Sequence, residues 1–234
     1  MSDHRSPIAV FDLDGTLADT IYDLIATLNV VLQSEGLPAL SLEEGRTLVG
    51  AGARALIERG LAVAGRSVSS DQLDELHRLF LDHYGRNLCV DTRLFPGVVA
   101  ALDRLEDAGF ALAVCTNKYE HHSIELLEGL GIASRFRAIC GRDSFPYAKP
   151  DPRHLLLTIE QAGGDPSRAV MVGDSITDIT TAKAARIPVI AVTFGYTDRP
   201  VQELEPDVLI DHYDRLFDAV EAIIPTPMPA VANA

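Results

Sequence analysis

Short apolar runs alternate with helical stretches along most of this chain, and that alternation limits the fold more than any other feature. Ile8 to Phe11 reads as a buried strand, as do residues 110–115 (FALAVC), 137–140, 169–172 (AVMV), 187–192 (IPVIAV) and 207–210. Helical spacing is predicted between them: Val98, Ala101, Leu102 and Leu105 share one face, and further helices are expected near 120–130, 152–162 and 176–186. Strands that alternate with helices imply an α/β fold, a doubly wound parallel sheet with helices on both faces. One block breaks the alternation. From about Asp19 to about Leu88 apolar residues recur at helical spacing only: Leu24, Leu28, Val31 and Leu32, then Leu56 and Ile57, then Leu73, Leu76, Leu79 and Phe80. It is expected to be a separate helical domain, residues 18–91, inserted into the first crossover of a core made from residues 1–17 and 92–224. The tail at 225–234, rich in Pro and Ala, is expected to be disordered.

Charge narrows the partners. Lys plus Arg number 20 against 34 Asp plus Glu, a formal net charge of −14, and no basic run offsets it. Such a surface repels nucleic acid, so none is expected as a partner. No run of 18 apolar residues suggests a membrane span. The opening MSDHRSPIAV lacks the long apolar core of a secretory signal. Cys89, Cys115 and Cys140 are odd in number and widely spaced, which argues against a disulfide framework or a zinc site. A cytoplasmic protein, monomer or homodimer, is the expectation.

The strand ends carry the chemistry. The first runs into Asp12-Leu13-Asp14-Gly15-Thr16, the second into Thr116-Asn117-Lys118, and that at 169–172 into Gly173-Asp174-Ser175 with Asp178 four residues on. Lys149-Pro150 lies between the last two. In open parallel sheets ligands bind outside the carboxyl ends of the strands, where these clusters can meet. Asp12 and Asp14, two apart on an extended segment, face one side. With Asp174 and Asp178 they would gather four acids that need a cation, and all-oxygen ligation without His or Cys favours Mg²⁺. Lys149 is the only lysine that obviously belongs there, placed to neutralise a transferred phosphoryl group. Thr116 and Asn117 sit where hydroxyl, amide and backbone N–H groups can hold phosphate oxygens.

These four clusters, in this order, resemble the motifs of the haloacid dehalogenase-like hydrolases, and the resemblance runs from Ile8 to about Ile210. It implies a Rossmann-like core with an inserted all-helical cap domain. It also implies a phosphomonoester hydrolase in which Asp12 attacks phosphorus and becomes an aspartyl phosphate. Asp14 would protonate the leaving oxygen and then deprotonate water. The resemblance assigns Mg²⁺ to the Asp12 carboxylate, the Asp14 backbone carbonyl and the Asp174 carboxylate, with Asp178 behind them, and the phosphoryl group to Thr116 and Lys149. Dehalogenases proper lack an acid two residues after the nucleophile. Asp14 stands there in this chain, so phosphoryl transfer is expected.

Leu48 to Ile57 (LVGAGARALI) is similar to the V-G-x-G-x-x-x-L-[IV] segment of phosphoglycolate phosphatases, as are Phe95-Pro96-Gly97-Val98, Gly195-Tyr196 and Glu205-Pro206-Asp207. The substrate is therefore expected to be a small phosphorylated metabolite, 2-phosphoglycolate, with Gly50 approaching it and Arg54 meeting its carboxylate. A solvated Arg54 on a helix face is the competing reading. Another sugar phosphate, pyrophosphate, a phosphomutase or a non-catalytic binding protein are the alternatives. A phosphonate hydrolase would need a cap lysine, and residues 18–94 contain none. His121 and His122 are expected to face solvent, Asp19 and Asp23 to be hinge or surface residues, and Asp71, Asp74 and Glu75 to form a solvated helix face.

Overall fold

The structure is a computed structural model, and it describes residues 5–197 and 199–225. The tail expected to be disordered lies, beyond Pro225, outside the described residues. A six-stranded sheet runs in the order β5-β4-β1-β6-β7-β8. Its strands are β1 (Ser6–Phe11), β4 (Ala111–Cys115), β5 (Ala138–Cys140), β6 (Gly164–Gly173), β7 (Val189–Val192) and β8 (Val208–Ile210). All five pairings are parallel, with β1 between β4 and β6. The chain winds outward from β1 first through β4 and β5, then returns to the other side through β6. The carboxyl end of β1 is therefore the point where the winding reverses, the crevice that ligands use in such sheets.

Helices cover both faces because every strand residue of β1 from Ile8 to Phe11 must be buried. Ala9 and Phe11 point into one apolar cluster, sealed by α5 (Val98–Asp107), α6 (Glu120–Gly129) and α9 (Leu216–Ile223). Ile8 and Val10 point into the other, under α7 (Pro152–Gln161) and α8 (Ile176–Ala185). Each fully buried Ile, Val or Phe here contributes roughly 1.5–3 kcal/mol. Cys115 and Cys140 belong to the second cluster as free, buried thiols.

Between β1 and β4 the chain leaves the sheet. The helices α1 (Ile21–Ser34), α2 (Leu42–Arg46), α3 (Ala53–Val63) and α4 (Ser70–Gly85) share a third cluster around Leu28, Leu56, Ile57, Leu76 and Phe80. Capping boxes, Ser41 with Glu44 and Ser69 with Gln72, start α2 and α4. The strands β2 (Ala18–Asp19) and β3 (Arg93–Leu94) pair antiparallel where the chain departs and returns. Asp23 secures this junction. It is 4% exposed, and its carboxylate accepts from the N–H groups of Val90, Asp91 and Thr92 and from the Thr92 hydroxyl. Asp23 is thus buried at the junction and does not lie on the surface. Among the described residues no helix is long and apolar enough to cross a membrane.

Candidate active site

At the end of β1 the backbone N–H of Asp12 still donates to Val172 of β6, at 2.9 Å. The chain then turns tightly: the N–H groups of Thr16, Leu17 and Ala18 all reach the Leu13 carbonyl. Gly15 makes the turn possible. Its φ is +79°, and a Cβ there would collide with the Asp174 carboxylate and the Tyr196 ring. The turn presents Asp12 and Asp14 at the sheet edge and sets Thr16 to donate to Asp174 Oδ1 at 3.1 Å.

Asp174 follows β6 directly, and its Oδ2 accepts the Tyr196 N–H at 2.6 Å. One turn on, Asp178 closes a capping box with Ser175 at the start of α8. Its Oδ2 takes the N–H groups of Asp174 and Ser175 and the Ser175 hydroxyl, and its Oδ1 takes Lys149 Nζ at 2.5 Å. Lys149 Nζ also lies 3.0 Å from Asp12 Oδ1. Burial works against the charge on Lys149, but Asp12 and Asp178 outweigh it and hold its pKa above the ordinary value.

Carboxylate oxygens of Asp12, Asp174 and Asp178 lie within 4.8 Å of one another, all buried. Burial first, then the Asp178 charge, pushes Asp12 up to about 6 against the pull of Lys149. Asp174 is raised well above its usual range by burial and then by Asp178 and Asp12. The cluster is short of positive charge, because the single Lys149 ammonium faces the carboxylates of Asp12 and Asp178 with Asp174 close by. Hard oxygen donors and excess negative charge, gathered in a buried cluster, together fit a divalent cation. Asp14 does not contribute its carboxylate to this group. That carboxylate faces Lys118, whose Nζ contacts both oxygens at 2.8 and 2.9 Å.

Lys118 is the site residue that the sequence reading passed over in favour of Lys149. It is 8% exposed, and its ammonium lies 4.5 Å from the centre of the Tyr84 ring. Thr116 continues β4 through a 3.0 Å bond to Cys140, and the Asn117 amide donates to the Lys149 carbonyl at 3.1 Å, joining the two loops. A narrow cavity of about 50 Å³ opens over these groups. Asp12, Asp14, Thr116, Asn117 and Lys118 line its core side, and Gly50, Gly52, Ala53, Leu56, Phe80 and Tyr84 line its helical side.

Two expectations change. Arg54 is not among the cavity-lining residues: it pairs with Asp74 on α4 and lies 3.9 Å from Glu58 one turn along α3. The packing of α3 on α4 supplies it with a carboxylate outside the cavity. His121 is exposed as expected, but His122 is buried against Tyr84 and lines the cavity. Adjacent helix positions point about 100° apart, so one faces solvent and the other the helical cover. Burial, then His121, then Lys118 lower the His122 pKa to about 4.

At one edge of a parallel sheet the chain thus gathers an acid pair after the first strand, with a lysine and a second acid pair beside it, under a helical cover. The family model described as Haloacid dehalogenase-like hydrolase matches residues 9–192, and the chain belongs to that family. It is 54% identical over 210 residues to a phosphoglycolate phosphatase of Mesorhizobium japonicum, covering 90% of this chain and 92% of the relative. It is 47% identical to a phosphoglycolate phosphatase of Agrobacterium fabrum, with 92% of each chain covered. A solved structure from Haemophilus somnus 129PT, titled a predicted phosphoglycolate phosphatase, superposes with a TM-score of 0.84 at 32% identity, covering 91% of this chain and 97% of its own.

Proposed function

We propose that this chain is a cytoplasmic, Mg²⁺-dependent phosphatase that hydrolyses 2-phosphoglycolate to glycolate and phosphate. The observation that carries the reading is the Asp12 carboxylate at the cavity, buried beside Asp174 and Asp178, with Lys149 Nζ 3.0 Å from its Oδ1 and Asp14 lining the same cavity. The kinship with phosphoglycolate phosphatases at 54% and 47% identity supports phosphoglycolate over a hexose phosphate. Free, buried thiols support a reducing compartment.

In this reading residues 18–91 form a cap over a core of residues 1–17 and 92–224. Asp12 attacks phosphorus, a P–O bond forms to its carboxylate, and the bond to the glycolate oxygen breaks. Asp14 gives a proton to that oxygen, then takes one from the water that attacks the aspartyl phosphate and restores Asp12. Thr116 and Lys149 hold the phosphoryl oxygens, and Lys149 balances the charge that develops there. Asp12, the Asp14 carbonyl and Asp174 would hold Mg²⁺, which supplies charge neutralisation when bound; Asp178 orients Lys149 and the Asp174 loop. The cap residues Gly50, Leu56 and Phe80 exclude bulk water.

A phosphate-release assay over a panel of small esters tests this. Phosphoglycolate should show a higher kcat/KM than common hexose phosphates, with activity lost in EDTA. Phosphoglycolate ranking among the poorest esters would remove the substrate assignment. Full activity in EDTA would remove the metal.

A further inference from the structure

The cavity holds a second set of polar groups that phosphoryl transfer leaves unused. An ammonium has three N–H donors, and the contacts of Lys118 with Asp14 occupy at most two. Tyr84 is only 2% exposed; its ring centre lies 4.5 Å from the Lys118 ammonium, which also interacts with its hydroxyl oxygen, and its O–H has no acceptor. Burial lifts its pKa to about 12, so the hydroxyl remains a donor. A buried O–H without an acceptor in a ligand cavity costs stability unless a ligand completes it.

A third contributor comes from the cap. The eleven-residue α3 starts at Gly52 with no side chain capping its first turn and no acid within that turn. Its leading N–H groups have no helical partner and carry the positive end of the helix dipole. Gly52 has φ +90°, and a Cβ there would stand 3.3 Å from the Asn117 carbonyl. Glycine thus lets the amino end of α3 approach the loop that carries Lys118, and Gly52, Ala53, Tyr84 and Lys118 line one cavity.

We propose that Lys118 Nζ, the Tyr84 hydroxyl and the amino end of α3 form a subsite for a second anionic group on the substrate, the carboxylate of phosphoglycolate. The proposal rests on the phosphatase reading above and replaces Arg54, which Asp74 engages outside the cavity. Lys118 then has two roles, holding Asp14 on one side and the substrate carboxylate on the other.

The test separates recognition from the Asp14 contact. Lys118→Met and Tyr84→Phe are compared with wild type on phosphoglycolate and on ethyl phosphate, which has a methyl group in place of the carboxylate. Inhibition by 3-phosphonopropionate, which keeps the carboxylate, is compared with that by propylphosphonate, which lacks it. Relative to ethyl phosphate, Lys118→Met should lose about 10-fold or more on phosphoglycolate, and Tyr84→Phe a few-fold in the same direction. The preference for 3-phosphonopropionate should fall in parallel. Equal losses on both esters with unchanged inhibitor preference, in both variants, would overturn the subsite. Tyr84→Phe removes one oxygen whose O–H has no acceptor and leaves the ring packing in place, so it decides the matter if Lys118→Met is unstable. Failure of the substrate reading looks different: wild-type enzyme would then show no advantage for phosphoglycolate over ethyl phosphate, while the inhibitor pair still reports on the subsite.

Discussion

Remove divalent cations, and the protein should lose stability as the pH rises through the weakly acidic range. Asp12 is raised from 3.8 to about 6 by burial and by Asp178. Below about pH 4 both folded and unfolded states hold the proton, and Asp12 contributes no pH dependence. Between 4 and 6 the folded state binds more protons, so stability falls as pH rises, and above 6 the whole penalty is present. A shift of about two pH units corresponds to about 3 kcal/mol, and Asp174 adds to it in the same direction. Mg²⁺ binds the ionised carboxylates and offsets this cost, so its stabilising effect should be larger at pH 7.5 than at pH 5. For a chain of this length 3 kcal/mol is roughly 6–12 °C in Tm. Differential scanning calorimetry with Mg²⁺ or EDTA at both pH values reads the effect, and comparing increments cancels titrations elsewhere. Equal Mg²⁺ increments at pH 5 and 7.5 would refute the account of the acid cluster.

Asp174→Ala should weaken Mg²⁺ binding by calorimetric titration more than Asp178→Ala, because the Asp178 carboxylate is already engaged by Lys149, Ser175 and backbone N–H groups; the reverse order would exchange their roles. Asp23→Ala strands three backbone N–H groups and the Thr92 hydroxyl at the junction and should cost about 3 kcal/mol in urea unfolding. Arg54→Ala removes a partly exposed pair and should leave kcat/KM on phosphoglycolate within about threefold of wild type; a large, selective loss would return Arg54 to the cavity.

The sheet is legible because each strand carries a short apolar run, and three of them, β1, β4 and β6, end in chemically distinctive clusters. Asp12, Thr116, Lys149, Asp174 and Asp178 converge because strand order brings those ends together. What escaped depends on packing between distant segments. Lys118 stands two residues after Thr116 and looks like the start of a helix, while its partner Asp14 lies 104 positions away. Tyr84 continues the apolar face of α4 and reads as core; only its O–H without an acceptor marks it out. The donor from Tyr196 to Asp174 is a backbone N–H, which leaves no side-chain signature. The sequence leaves Arg54 between substrate contact and a solvated helix face, and its pairing with Asp74, which favours the second, depends on α3 packing on α4.

The central claim is that Asp12 carries the phosphoryl group. Acid quench of a single turnover with phosphoglycolate, followed by borohydride reduction and peptide mass spectrometry, tests it directly, since an acyl phosphate is reduced where a free carboxylate is not. The account predicts conversion of Asp12 alone to homoserine, and no turnover in Asp12→Asn. Reduction at another acid, or substantial turnover by a homogeneous Asp12→Asn sample, would contradict it.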